Sequence, residues 1–161
     1  MADEIERKFL VPGDAWRAAA DMGCRIEQAY LALTDVVSIR IRIRDTAAAT
    51  LTIKSRAVAL RRQEFEFPIP VHEAAELIML RTGSLIEKTR YKVPCRDLVW
   101  EIDVFQGANA GLVIAEIELE HEDQAFERPA WLGEEITGVE RYYNASLALA
   151  PFGTVAPIAR G

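Results

Sequence analysis

The sequence predicts an all-β dominated fold: eight antiparallel strands closed into a barrel that forms a charged tunnel, with a few helices packed outside. Three observations predict it. Polar and apolar residues alternate with period two through most of the chain, the mark of strands with two unlike faces. Connections such as Asp45-Thr46-Ala47-Ala48 and Gly107-Ala108-Asn109-Ala110-Gly111 are short enough for antiparallel hairpins. The charges in the alternation are also sorted by sign, with Arg40-Ile41-Arg42-Ile43-Arg44 and Lys88-Thr89-Arg90-Tyr91-Lys92 basic, and Glu4-Ile5-Glu6 and Glu116-Ile117-Glu118-Leu119-Glu120 acidic.

Taken in order, the alternation predicts strands near Asp3 to Val11, Arg25 to Leu33, Val37 to Asp45, Thr50 to Ser55, Arg61 to Ile69, Leu85 to Val93, Asp97 to Phe105 and Leu112 to Glu120. In the first, Glu4, Glu6 and Lys8 oppose Ile5 and Phe9, with Arg7 an exception on the apolar side. Arg40, Arg42 and Arg44 oppose Ile39, Ile41 and Ile43. Thr52 and Lys54 oppose Leu51 and Ile53, and Arg62, Glu64 and Glu66 oppose Phe65 and Phe67. Lys88, Arg90 and Lys92 oppose Thr89, Tyr91 and Val93, Glu101 and Asp103 oppose Trp100, Ile102 and Val104, and Glu116 and Glu118 oppose Ala115, Ile117 and Leu119. Helical signals are fewer. Pro12-Gly13-Asp14 is placed to cap Ala15 to Met22, and His72 to Leu80 sets Ala75, Leu77, Ile78 and Met79 among polar residues. Glu122 to Phe126 and Tyr143 to Leu149 are further short helix candidates. One domain over residues 1–150 is expected, followed by a loosely held tail, 151–161, with two prolines and neither period.

An open sheet turning all these charges to bulk solvent is the plain alternative. Against it stands the segregation by sign, because a row of three arginines repels itself unless anions lie among it and paired glutamates likewise invite cations. Closing the sheet so that the charged faces converge makes a polar tunnel with basic and acidic walls.

Composition bounds the functions available. The 161 residues, 50% hydrophobic and 27% charged, suit one compact domain and exclude a collagen-like or mostly disordered chain. No apolar run approaches a membrane span and no basic-then-apolar leader follows Met1, so the protein is read as cytoplasmic. A formal net charge of -6 argues against coating nucleic acid through a broad basic face. Cys24 and Cys95, far apart and without CxxC spacing, read as buried free thiols. His72 and His121 stand at element boundaries, and Trp16, Trp100 and Trp131 read as packing residues.

Carboxylates at i and i+2 of a strand project in parallel, which suits hard divalent cations such as Mg²⁺ or Mn²⁺, and Glu4/Glu6 and Glu116/Glu118 are two such pairs. Convergent arginine and lysine rows suit a polyanion, since guanidinium binds phosphate oxygens bidentately. Metal, cationic wall and enclosure together are the equipment of phosphoryl transfer. The chain contains no GxxxxGK[ST], no GxGxxG after a strand and no HExxH. Tyr30 is either core or a lumenal hydroxyl.

Glu4-Ile5-Glu6-Arg7-Lys8 reads as an ExExK signature and resembles the CYTH superfamily of triphosphate tunnel metalloenzymes. Arg42-Ile43-Arg44, Thr52-Ile53-Lys54, Arg62-Gln63-Glu64-Phe65-Glu66, Glu87-Lys88-Thr89-Arg90-Tyr91, Trp100-Glu101-Ile102-Asp103-Val104-Phe105, Ala115-Glu116-Ile117-Glu118-Leu119, Gly133-Glu134-Glu135-Ile136-Thr137 and Arg141-Tyr142-Tyr143-Asn144 follow in that family's order. The resemblance spans about residues 3–150 and is nearest to short bacterial members that look like inorganic tripolyphosphatases. It implies metal-dependent hydrolysis of tripolyphosphate, with Mg²⁺ or Mn²⁺ at Glu4, Glu6, Glu116 and Glu118. Lys8, Arg42, Arg44, Lys54, Arg62, Lys88 and Arg90 are implied to hold phosphates, and Glu4, Glu6, Lys8 and Tyr30 to form the catalytic group, with Tyr30 near the first-strand lysine. Arg40 shares the face but lies outside the implied pair. Glu140 departs from the family, where some close relatives carry a lysine, and either weakens binding at one tunnel end or sits outside it. Thiamine triphosphatase or class IV adenylate cyclase chemistry, and a non-catalytic polyphosphate-binding module, are the alternatives. The expected partner is a triphosphate-containing small molecule, with no nucleic acid and no membrane.

Overall fold

The computed structural model describes residues 5–55 and 63–154. Within them lie β1 (Ile5–Leu10), β2 (Cys24–Leu33), β3 (Val37–Arg44), β4 (Ala48–Ser55), β5 (Glu64–Ile69), β6 (Thr82–Cys95), β7 (Leu98–Gln106) and β8 (Val113–Leu119). All pairings are antiparallel, in one eight-stranded sheet of order β1-β8-β7-β6-β2-β3-β4-β5. The eight expected strands are therefore present, each within a few residues of its expected bounds. The start of the first, with Glu4, and the start of the fifth, with Arg62, lie outside the described residues. No helix among the described residues is long and apolar enough to cross a membrane.

Register carries the charged residues onto one face. Glu6 stands opposite Glu118 and Lys8 opposite Glu116, Glu116 opposite Glu101, and Glu101 opposite Lys92 and Asp103 opposite Arg90. The same face continues through Ile26, Gln28 and Tyr30 of β2 to Arg44, Arg42 and Arg40 of β3, then to Thr50, Thr52 and Lys54 of β4 and Glu64 and Glu66 of β5.

The opposite face is apolar. Phe9, Trp16, Val93, Trp100, Ile102, Ala115, Ile117 and Leu119 form one buried cluster, against which Phe126 and Trp131 pack. Trp100 meets Phe9, Phe126 and Trp131 edge-on at ring distances of 5.6–5.8 Å. The arginine exception in β1 is resolved here: Arg7 forms a two-pronged bond to Glu135 at 2.6 and 2.9 Å and lies 5.0 Å over the Phe126 ring. Farther along, helix α1 (Val71–Ile78) buries Ala74 and Ile78 on Ala29, Ile41, Ile43 and Ala49.

The sheet edge at β1 is occupied by the chain beyond β8. Leu10 N–H donates to the Glu134 carbonyl, Gly133 N–H to Leu10 and Ile136 N–H to Lys8, each at 2.8 Å. Gly133 permits this approach, since a Cβ there would fall 2.5 Å from the Leu10 carbonyl oxygen. Among the described residues no ladder joins β1 to β5; the 133–137 segment takes the backbone groups of β1 that such a ladder would use.

Helix α2 (Asn144–Leu149) differs from the expectation that helices lie outside. It packs on the charged face, where Ile86, Phe105 and Ile114 form an apolar end that needs cover and receives Leu147 and Ala148. Gly83, at φ +73, lets it in: a Cβ there would lie 2.5 Å from the Ala148 carbonyl oxygen. The helix expected over Ala15 to Met22 is a 3-10 segment, Ala15–Ala19, ended by extended backbone at Ala20. No helix forms over Glu122 to Phe126, because Gln124 N–H bonds back to His121, its side chain accepts from Glu120 N–H, and Phe126 is drawn into the aromatic cluster. The start of the expected tail is held, with Phe152 packed against the α2 cluster and its N–H donating to Asn109 Oδ1 at 2.8 Å. Residues 155–161 lie outside the described residues. Both cysteines are free and half-buried rather than buried.

Because Trp100 is fully buried among three aromatic rings, Trp100→Ala should cost about 3–5 kcal/mol of stability. Denaturant unfolding checks this; a loss below about 1 kcal/mol, the scale of a surface change, would contradict the packing described.

Candidate active site

The inner face is organised around Asp103. This carboxylate is almost fully buried and receives Lys88 Nζ at 2.9 Å, Arg90 Nε at 2.7 Å and Arg90 Nη2 at 2.9 Å. Burial alone would push Asp103 up, but Lys88 and the Arg90 fork hold it well below the usual carboxylate range. Lys88 is fully buried too and also donates to Asn144 Oδ1 at 3.1 Å. Its ammonium is pushed down to about 8 by burial, against the attraction of Asp103 and with added repulsion from Arg90 and Arg42. Arg90 reaches farther, to Glu101 at 2.8 Å and Glu116 at 3.6 Å.

Glu116 also takes Lys8 Nζ at 3.6 Å. Its carboxyl lies within hydrogen-bonding reach of Glu6; burial raises it, while Glu6, Lys8 and Arg90 bring it below its ordinary value. Among the described residues no three His, Cys, Asp or Glu side chains converge as a metal cage. A carboxylate pair nonetheless suits Mg²⁺, which commonly takes one or two carboxylates and completes its shell with water and phosphate oxygens.

The opposite wall is basic. Arg42 Nε donates to Gln28 Oε1 at 2.8 Å, and Gln28 Nε2 donates to the Tyr30 hydroxyl at 3.1 Å. Burial, and then Arg40, Arg90 and Arg44, push the Arg42 guanidinium down to about 10. Burial pushes the Tyr30 phenol up, opposed by Arg40.

Of the expected site residues, the structure brings Lys8, Lys88, Arg90, Glu6 and Glu116 into one network, with Arg42, Arg44 and Tyr30 on the same face. Glu118 is the strand neighbour of Glu6, and both are exposed; Lys54 turns to Glu64 at 3.9 Å. The aromatic ring against Lys8 is that of Tyr143, 5.2 Å from Nζ, and not Tyr30. Tyr30 is held on β2 by Gln28, whereas Tyr143 arrives with α2. Glu4 and Arg62 lie outside the described residues. Glu140 is exposed in a 3-10 turn before α2. Asp103, Gln28 and Asn144 were missed as site residues. Asp103 was visible as a charge on the inner face; Gln28 and Asn144 had no charge pattern to flag them.

Asp103→Asn should cost about 3–5 kcal/mol at neutral pH, because it leaves the fully buried Lys88 without its counter-charge and takes the two-pronged partner from Arg90. The depressed acid contributes stability that is full above its unfolded value, about 3.9, and is lost as pH falls toward the folded one. The gap between wild type and variant should therefore narrow below about pH 4, as denaturation across the acid range would read. A gap that persists unchanged would assign the loss to shape rather than charge.

Similarity agrees with this arrangement of strands and charges. A family model described as the CYTH domain matches residues 2–147. An inorganic triphosphatase of Acetivibrio thermocellus is 42% identical over 153 residues, covering 94% of this chain and 97% of that protein. One from Nitrosomonas europaea is 41% identical over 154 residues, covering 91% and 97%. A crystal structure of an inorganic triphosphatase superposes with a TM-score of 0.72 at 38% identity, covering 93% of this chain and 97% of the other. The match runs from the acidic start of the first strand, through every strand of the charged face, into the helix that covers one end of it: this chain belongs to the CYTH domain family.

Proposed function

We propose that this protein is a divalent-metal-dependent triphosphatase that hydrolyses inorganic tripolyphosphate to pyrophosphate and orthophosphate. The observation that carries the reading is the division of the inner face, with an arginine row on β3 set against a carboxylate pair, Glu6 and Glu116, across strands β1 and β8. The relatives named above as inorganic triphosphatases support it.

In this reading Arg42, Arg44, Lys88 and Arg90 bind the phosphate chain, and Asp103 fixes the last two in place. Lys54 and Arg62 extend the phosphate-binding set, and Lys8 lies next to the carboxylate pair. Glu6 and Glu116 would hold Mg²⁺ or Mn²⁺, with Glu118 on the same face and Glu4 as the remaining expected ligand. Such an ion supplies neutralisation of charge on non-bridging oxygens and a lowered pKa for water. The reaction adds water to a terminal phosphorus, breaks the bridging P–O bond and releases pyrophosphate, with positioning and charge neutralisation carrying the rate. Tyr30, kept protonated by its burial, is a neutral hydroxyl at the arginine wall.

Phosphate release from tripolyphosphate, pyrophosphate, ATP and thiamine triphosphate, with Mg²⁺, Mn²⁺ or EDTA, tests the reading. Fast, EDTA-sensitive release from tripolyphosphate is expected; cyclic AMP from ATP, preference for thiamine triphosphate, or binding without turnover would each replace it. Glu6→Gln and Glu116→Gln should each lower metal-dependent release by more than the roughly 10- to 100-fold of an outer-shell change. The double variant should be far less impaired than the product of the two, since groups acting on one step are not additive.

A pH effect follows from Lys88. Its charge in the free protein is lost as pH rises through about 8, so tripolyphosphate affinity should fall above that pH. Calorimetric titration from about pH 7 to about pH 9.5 reads it, and Lys88→Arg, always charged in this range, should flatten the profile.

A further inference from the structure

The lumenal cations are flanked in two different ways. On the wall formed by β1, β8, β7 and β6, cations stand opposite acids: Lys8 opposite Glu116, Arg90 opposite Asp103, Lys92 opposite Glu101. Lys88, opposite Phe105, still reaches Asp103 with its ammonium. On β3 the pattern reverses. Arg44 lies between Ile26 and Ala48, Arg42 between Gln28 and Thr50, and Arg40 between Tyr30 and Thr52. Every strand neighbour of the arginine row is uncharged.

Arg42 shows the arrangement most completely. Its Nε is fixed by the carboxamide oxygen of Gln28, which is fully buried and has its own donor committed to Tyr30. On the other side the Thr50 hydroxyl oxygen is buried and has no hydrogen-bond partner. A carboxylate at either position would form a charge-assisted bond to this guanidinium and compete with an incoming anion for it. A carboxamide orients the guanidinium without adding a counter-charge beside it.

We propose that Gln28 and Thr50 are positioning residues that keep Arg42 available to a polyphosphate by flanking it with neutral groups, so that the β3 wall is not neutralised as the opposite wall is. This rests on the triphosphatase reading and deepens it. It predicts an order of effects opposite to that of a structural clamp. Gln28→Glu keeps the shape and strengthens the bond to Arg42, yet should weaken binding of tripolyphosphate about 10- to 100-fold. Gln28→Met loses the orienting bond but adds no charge, and should weaken binding clearly less than Gln28→Glu does. Thr50→Asp should behave as Gln28→Glu, and Thr50→Val, which removes a hydroxyl with no partner, as wild type.

The experiment is calorimetric titration of each folded variant with tripolyphosphate in EDTA, where turnover is absent, with KM and kcat measured in Mg²⁺ and thermal melting as the folding control. The expected result is a selective rise in KM for the two acidic variants with kcat nearly kept. Gln28→Met weaker than Gln28→Glu, or acidic variants that bind as wild type does, would overturn the inference while leaving the triphosphatase reading intact. Wild-type protein that neither binds nor hydrolyses tripolyphosphate would overturn that reading and this inference with it. Should Gln28→Glu fail to fold, the Thr50 pair decides alone: Thr50→Asp equal to Thr50→Val rejects the neutral-flank role.

Discussion

One buried carboxylate, Asp103, stands between a buried cation, Lys88, and a half-buried one, Arg90, and the inner face depends on that imbalance. With Lys88 and Arg90 both on it, Asp103 supplies one negative charge for two positive ones. Exposing such a group to water would be easy; burying it is tolerable only because every hydrogen bond of the carboxylate is made by a charged donor. Arg90 then passes the network on to Glu101 and Glu116, and Glu116 to Lys8. A chain of alternating charge thus crosses β6, β7, β8 and β1.

The sheet can hold this network inward because its other face is unusually well filled. Trp100, Phe9, Phe126 and Trp131 close one half with edge-on aromatic contacts, and α1 closes the other. Burial of that surface is the main favourable term available to a chain of this size. The aromatic half also recruits the chain after β8: Phe126 and Arg7 meet there, Arg7 binds Glu135, and Glu135 belongs to the segment that occupies the edge of β1. Core packing, edge protection and the placement of the acidic strand are therefore one construction. The 133–137 segment delivers the chain to α2, whose Asn144 reaches back to Lys88.

Much of this was legible in the sequence. Period-two alternation located the eight strands because each is buried on one face and charged on the other, the case in which register is most strongly specified. Sorting of charge by strand places Lys8, Arg42, Arg44, Lys88, Arg90, Glu6 and Glu116 on one face, as the register does. Those statements depend only on spacing along one strand, which a sequence contains in full.

Tertiary structure decided everything that depends on what lies across a gap. Arg90 reaches across strands to Glu101 and Glu116, and Lys8 meets Tyr143 rather than Tyr30, because both outcomes depend on side-chain reach between strands and on the docking of α2. That α2 lies on the charged face follows from an apolar patch, Ile86, Phe105 and Ile114, assembled from three strands and invisible in any one of them. Gln28 and Asn144 carried no signal because an uncharged amide becomes significant only through the buried cation it touches. Period and sign are properties of the chain; pairing and neutralisation are properties of distance, and only the folded sheet sets distance.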